Sequence, residues 1–247
     1  MATSISILAM LLATSVSPAG ASAPAAPPLN ITGEYTPPAS MMDGNEVVGR
    51  EGEKIREMLQ RSGISYKIGL LPWKRAYMMA QNDAFTCVYS TSRTAEREKQ
   101  FKWVGPTDEA EWVLLGRADR KYQINSLEDA RALRIGTYNG DARDEYLRTR
   151  GFHVDPVPND ASNPKKLMID RIDLWAVGAR TGSTVLARFA PDIVPVLVFN
   201  RVKVYLACNN TVPDAMIERM NAALDTMRRD GSFVRLERKY EHWTERK

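Results

Sequence analysis

The chain has 247 residues, 44% of them hydrophobic and 26% charged, with 34 basic and 30 acidic side chains for a net charge of +4. That balance excludes collagen-like, disordered and multi-span membrane classes, and leaves room for one large domain or two lobes of roughly 100 residues each. The charges are interspersed, so no basic stripe offers itself to a nucleic acid, and two histidines with two distant cysteines, Cys87 and Cys208, lack metal-type spacing.

Residues 1–30 carry no charged side chain, and the apolar run 5–16 is too short to span a bilayer. It is followed by Ala19-Gly20-Ala21 and Ala21-Ser22-Ala23, two A-x-A cleavage patterns. Together they predict a signal peptide and leader over 1–23 and a periplasmic mature chain beginning between Ser22 and Pro28. Beyond a Pro-rich leader, short apolar runs alternate with helical patterns, which reads as α/β. Residues 29–33 form a first strand. A helix follows with Ile55, Met58 and Leu59 on one face and Gly63 as its stop, then a strand at 66–70. Pro72 opens a helix whose Trp73, Ala76, Tyr77 and Ala80 share a face. A strand at 85–89 leads into a polar loop from Ser90 to Arg97. Next come a strand at 133–138, the turn Asn139-Gly140-Asp141, and a helix closed by Gly151. Ser162-Asn163-Pro164 caps a helix to about Asp170. A strand at 172–177, a short helix at 183–190, and strands at 193–199 and 202–208 follow. Two amphipathic helices close the chain, carrying Ile217, Met220, Leu224 and Met227, then Phe233, Leu236, Tyr240 and Trp243, separated by Gly231. Such a scaffold binds ligands at the carboxyl ends of its strands.

The polar loop is the most informative stretch. Ser90, Thr91, Ser92 and Thr94 supply hydroxyls, and Thr94 reads as an N-cap with Arg97 in the first turn. A cation at the positive end of a helix is unfavourable by about 0.3–1 kcal/mol unless an anion joins it. A ligand carboxylate held by the guanidinium fork would supply that anion; a surface Arg97 paired with Glu96 or Glu98 fits the same residues. Asn139-Gly140-Asp141 reads either as a second anion cradle or as an ordinary turn capped by Asp141. Trp73, Lys74 and Arg75 place an aromatic ring and two cations at another helix start, with Arg75 the more exposed. Cys87 and Cys208 each end an apolar run; an oxidising compartment permits a bridge if those strands are neighbours, and two buried thiols are the other outcome.

Several motifs keep a recognisable order: Tyr35-Thr36-Pro37-Pro38, Pro72-Trp73-Lys74-Arg75-Ala76, Asn82-Asp83-Ala84-Phe85 and Ser92-Arg93-Thr94-Ala95-Glu96-Arg97. Ser126-Leu127-Glu128-Asp129, Arg134-Ile135-Gly136, Arg171-Ile172-Asp173-Leu174, Tyr205-Leu206-Ala207 and Pro213-Asp214 follow. In this order they resemble the periplasmic solute-binding proteins of family 3, best known for polar amino acid uptake, over about residues 29–243. The resemblance implies a two-lobed, type II periplasmic-binding-protein-like fold. Lobe 1 would combine 24–107 with 201–247, lobe 2 would span 108–200, and hinge crossovers near 107–111 and 199–201 would join them around a cleft. It implies a monomeric binding protein rather than an enzyme, without cofactor, metal or nucleic acid. Such a protein captures a small carboxylate-bearing solute, an amino acid or related organic acid, and delivers it to the membrane subunits of an ABC transporter. On that template Tyr35 walls the pocket, Ser92 and Arg97 hold the carboxylate, and Thr137, Asn139, Gly140 and Asp141 close from the opposite lobe. Trp73, Arg75 and Ser90 complete the candidate set. Gly178 stands where the family's amino-acid binders carry a carboxylate for the ligand's α-ammonium. Three other readings stay open: a periplasmic dehydratase of cyclic acids using Glu34, Asp141 or Asp173, a ligand sensor for a receptor, and an interaction module that has lost its ligand.

Overall fold

A computed structural model describes residues 27–180 and 192–243. The expected signal peptide and the helix expected at 183–190 lie outside the described residues. One mixed sheet contains eight strands: β1 (Leu29–Gly33), β4 (Tyr66–Leu70), β5 (Thr86–Ser92), β6 (Lys102–Arg117), β7 (Ile135–Tyr138), β8 (Val154–Val157), β9 (Leu174–Gly178) and β10 (Ile193–Cys208). Their order is β4-β1-β5-β10-β6-β9-β7-β8, and a separate hairpin joins β2 (Met41–Asp43) to β3 (Glu46–Val48).

Among the described residues six α-helices pack on the sheet: α1 (Arg50–Ser62), α2 (Trp73–Asn82), α3 (Ala142–Thr149), α4 (Asn163–Met168), α5 (Asp214–Arg229) and α6 (Ser232–Lys239). The β4-β1-β5 end has its own cores. Leu29, Ile31, Ile55, Met58, Leu59, Leu206, Met220, Leu224 and Met227 fill the space under α1 and α5. Trp73, Ala76 and Ala80 of α2 meet Val88, Phe101 and Ala207 on the opposite face. The β9-β7-β8 end has two more: Val113, Leu167, Trp175 and Val177 against α4, and Leu114, Ile135, Leu147 and Leu174 against α3. The apolar faces read from the sequence are the buried ones. Gly63, at φ +63°, ends α1 in the left-handed conformation that glycine adopts without a Cβ penalty.

The expected crossovers at 107–111 and 199–201 are not loops. β6 and β10 are sixteen-residue strands paired from Ile193↔Arg117 to Cys208↔Lys102, with Arg201↔Glu111 and Val204↔Asp108 in the middle. The strands expected at 193–199 and 202–208 are therefore one, its register shifts absorbing the polar Asn200-Arg201 interruption. β6 escapes a pattern-based reading because Thr107, Asp108, Glu109 and Glu111 carry no apolar alternation.

Two devices tie this ribbon to the first end of the sheet. Cys87 and Cys208 face each other on β5 and β10 and form a disulfide, which decides between the two outcomes open for them. Lys54 of α1 is completely buried: its Nζ donates to Glu51 Oε1 at 2.9 Å, to the Thr107 carbonyl at 3.0 Å and to Glu237 of α6. Thr107 Oγ1 donates to the other Glu51 oxygen at 2.9 Å, and burial pushes the Glu51 carboxyl above its ordinary range. Glu51, Asp108 and Glu237 are close enough to share a metal ion, but the Lys54 ammonium and the Arg50 guanidinium already supply their cations.

Lys54→Met should lower stability by about 3–5 kcal/mol in urea unfolding, because it leaves Glu51 buried without its main partner. Thiol titration of denatured, unreduced protein should find no free thiol. The double substitution Cys87→Ala, Cys208→Ala should cost about 2–5 kcal/mol.

Candidate functional site

β5 runs further than its apolar residues suggest. Thr91 pairs with Tyr205 and Ser92 with Val204, so Ser90, Thr91 and Ser92, expected in a loop, belong to the strand. Ser90 sits at φ +57°, a left-handed conformation that is costly for a residue with a Cβ, and its buried hydroxyl has no hydrogen-bond partner among the described residues. The Thr91 hydroxyl turns inward to the Val88 carbonyl at 3.1 Å. Ser92 is half-buried.

No helix starts at Thr94. The Arg97 N–H closes a turn on the Thr94 carbonyl at 3.1 Å, and a single 3-10 turn, Glu98–Gln100, follows. The helix-end argument for an anion at Arg97 therefore falls, and the side-chain geometry replaces it. Arg93 anchors the loop through a two-pronged ion pair to Glu98, at 2.8 and 2.5 Å, with its guanidinium over the rings of Trp103 and Tyr205. Glu96 is taken by Arg150 at 3.0 Å. Neither neighbouring glutamate is left for Arg97, which overturns the surface-pair alternative.

Arg97 is 1% exposed. Its guanidinium lies 4.6 Å from the Tyr77 ring centre, Nε donates to Glu145 Oε2 at 3.0 Å, and Nη2 donates to the Gly140 carbonyl at 3.1 Å. Nη1 is buried with no hydrogen-bond partner among the described residues. Buried polar atoms are nearly always hydrogen-bonded, and an unmatched donor on a cation is costly.

The opposite wall comes from the β7–α3 turn. Gly140, at φ +77°, turns the chain so that its carbonyl accepts from both Arg97 Nη2 and Trp73 Nε1, the latter at 3.0 Å. Asp141 is the ordinary cap of α3, accepting from the Arg143 N–H and from Arg143 Nη2, both at 2.7 Å. Thr137 is fully buried and its hydroxyl donates to Asp144 at 2.7 Å, so it is spent inside the fold. Asn139 is half-buried and donates its N–H to Val157 at 3.0 Å. A second bridge joins the two ends of the sheet: Glu34 Oε1 accepts from Tyr138 OH at 2.6 Å and from the Trp73 N–H at 3.3 Å. Burial pushes the Glu34 carboxyl above its ordinary 4.5, despite those two donors, and also pushes the Tyr138 phenol up.

Arg97, Trp73 and Gly140 are thus brought together at one seam. Arg75 is not among them: it is exposed on the outer face of α2 with Met78, Met79 and Asn82, opposite the buried Trp73, Ala76, Tyr77 and Ala80. Tyr35 is 57% exposed just past β1. Gly178 ends β9 opposite the fully buried Trp112, whose ring meets Tyr146 and Phe199 edge-on or tilted. Glu145 and Tyr138 carry no signal in the sequence, and Tyr77 reads there only as part of the apolar face of α2. Glu145 is four residues after the Asp141 cap and looks like any first-turn acid of α3. Among the described residues no helix is long and apolar enough to cross a membrane.

A histidine kinase sensor domain described as similar to periplasmic binding proteins superposes with a TM-score of 0.78 at 19% identity, covering 89% of this chain and 98% of its own. A mutant of ArgBP from T. maritima gives 0.74 at 20%, covering 87% and 95%. An ancestral amino acid-binding protein, described as a precursor of cyclohexadienyl dehydratase, gives 0.70 at 19%, covering 86% and 94%. These likenesses establish the type II periplasmic-binding-protein fold. No curated protein matches the chain. The sequence pattern of one family matches residues 29–242, nearly all that is described above, and the chain belongs to that family, the bacterial extracellular solute-binding proteins, family 3.

Proposed function

We propose that this protein is an extracytoplasmic solute-binding protein that captures a small carboxylate-bearing solute, an amino acid or related organic acid, between two lobes and delivers it to an ABC transporter. One observation carries the reading: Arg97, at the seam between the two ends of the sheet, is buried with Nη1 unpartnered. A carboxylate meeting the Nη1–Nη2 edge would satisfy the fork through charge-assisted hydrogen bonds, and the equally unpartnered Ser90 hydroxyl adds a donor nearby in the chain. Lobe 1 comprises 24–107 with 201–247 and lobe 2 comprises 108–200. The β6–β10 ribbon is the hinge, bending where its register shifts. The ligand favours closure to the extent that it touches both lobes better when they are together. Family membership supports the extracytoplasmic setting, the expected signal peptide, and a transporter as recipient.

Glu34 favours a second reading, an enzyme on this fold. A carboxyl held above its ordinary range beside a phenol at the seam has the makings of a general acid. The other acids considered are tied up, Asp141 by Arg143 and Asp173 by Arg134. Turnover of cyclic hydroxy acids, lost in Glu34→Gln, would establish the enzyme; its absence alongside saturable binding supports transport.

A thermal-shift screen over amino acids, amines and organic acids identifies the solute, since a ligand at 100 times its Kd adds about 2.7 kcal/mol. Arg97→Ala should then weaken binding by at least about 2 kcal/mol, and Arg97→Lys should restore only part, because a point charge cannot reproduce the planar fork. Arg97→Ala also removes the Glu145 contact, so its ligand-free stability should fall modestly. Small-angle scattering should show a smaller radius of gyration at saturation; an unchanged profile counts against hinge closure.

A further inference from the structure

We propose that the Asp108–Arg180 ion pair is a strap across the hinge, holding the two ends of the sheet in the arrangement that closes the seam. The inference rests on the β6–β10 ribbon being the hinge of the proposed binding function, and it concerns a contact outside the ligand site.

The strand pairings show where the ribbon stands alone. β5 accompanies β10 as far as Val204, the residue opposite Asp108, and β9 accompanies β6 from Trp112 onward. Between those points Glu109, Ala110 and Glu111 pair with Lys203, Val202 and Arg201, and with no third strand among the described residues. The Arg93 N–H donates to the Lys203 carbonyl at 3.1 Å, which marks the near edge of this two-stranded bridge.

One ion pair spans the same gap. Arg180 lies just past Gly178, the end of β9, and so belongs to the far end of the sheet; its Nη1 donates to Asp108 Oδ2 at the near edge. Arg50, the first residue of α1, donates from Nη2 to the same oxygen at 2.9 Å, and the Glu109 N–H donates to Oδ1 at 2.8 Å. Arg50 Nε also stands 3.5 Å from Glu51 and 3.6 Å from Glu237, and both of those carboxylates bind the buried Lys54. A pull on Arg180 is therefore passed to α1 and α6. The Asp108 side chain is 11% exposed and that of Arg180 54%, so one partner is already held in place and only the other gives up freedom to pair.

The strap coexists with the contacts that close the seam, Arg97 to Glu145 and Trp73 to Gly140. Bending the bridge between Asp108 and Trp112 moves Arg180 relative to its partner, so the pair favours the closed arrangement to the extent that it is lost in the open one.

Single-molecule energy transfer on the ligand-free protein tests this, with dyes on Lys165→Cys of α4 and Ala222→Cys of α5. Both positions are exposed, and the native cysteines are held in their disulfide. Arg180→Gln should raise the ratio of long-distance to short-distance molecules about two- to fivefold, the size expected of a partly exposed ion pair, and Arg180→Lys should keep part of the wild-type ratio. Raising NaCl from about 0.05 M to about 0.5 M should open the wild-type protein more than Arg180→Gln, which has one charge pair fewer to screen. Asp108→Asn should also open the molecule, and the double variant should open no further than Asp108→Asn alone, since a shared contact is lost only once. An unchanged ratio in Arg180→Gln, a shift toward short distances, or a double variant as open as two independent changes would make it overturns the strap. Arg97→Ala separates that failure from failure of the hinge. If Arg97→Ala opens the molecule and Arg180→Gln does not, the strap falls and the hinge stands. If neither variant nor salt alters a single fixed distance, the hinge reading falls and takes the strap with it.

Discussion

β6 and β10 pair antiparallel over sixteen residues each, and every other feature of the molecule is arranged along that ribbon. On one side of it β5, β1 and β4 build a core with α1, α2, α5 and α6; on the other β9, β7 and β8 build a core with α3 and α4. The stretch between them carries Thr107, Asp108, Glu109 and Glu111 against Val202, Lys203 and Val204. Glu109 and Lys203 are exposed there, whereas Thr107 and Val204 are buried, so the polar residues of this stretch are split between solvent and the Lys54 cluster. The disulfide and the Lys54 cluster tie the ribbon at one end, so the proposed hinge bending would fall beyond them.

Against that frame Arg97 is the expensive element. Burying a guanidinium is repaid only when its donors are matched, and here two of three nitrogens are matched by groups from across the seam. The supporting parts are ordinary: Arg93 sandwiched by Glu98, Trp103 and Tyr205 holds the loop, and Asp141 caps the helix that brings Glu145 and Gly140 across. Because both partners of Arg97 lie beyond the ribbon, its satisfaction depends on the seam being closed. On the proposed hinge closure, burial of this charge and closure would be one event.

Much of the fold was legible because its signals are local. The alternation of apolar runs, Gly63 after α1, Pro72 before α2 and the Trp73–Ala80 face each follow from a backbone or burial rule that acts within a few residues. β6 was not legible, since its middle answers to a partner strand ninety residues away rather than to a core, as Arg201 against Glu111 illustrates. The site divides the same way. Arg97, Trp73 and Gly140 were singled out by sequence, and the structure brings them together. Arg75 was misread because a cation beside Trp73 can face either side of a helix, and three residues of spacing from Met78 put it on the outer one. Glu145 and Tyr138 gave no signal, because what distinguishes them is only which atoms they meet across the seam.

Among the described residues, the contacts across the seam include several polar ones beside the packing of Tyr138 on the Trp73 cluster. Trp73 Nε1 to Gly140, Tyr138 to Glu34, Arg97 to Glu145 and Arg150 to Glu96 link side chains or turns rather than apolar faces. A neutral hydrogen bond contributes about 0.5–1.5 kcal/mol net, and an exposed ion pair such as Glu96–Arg150 about 0–1 kcal/mol. On the proposed hinge closure, a handful of such terms would be set against the loss of freedom, and a ligand held by Arg97 would favour the closed state through what it also touches on the β7–α3 side. A seam held by contacts of this kind is one that a small solute could tip, which a seam closed by a large apolar interface would not allow.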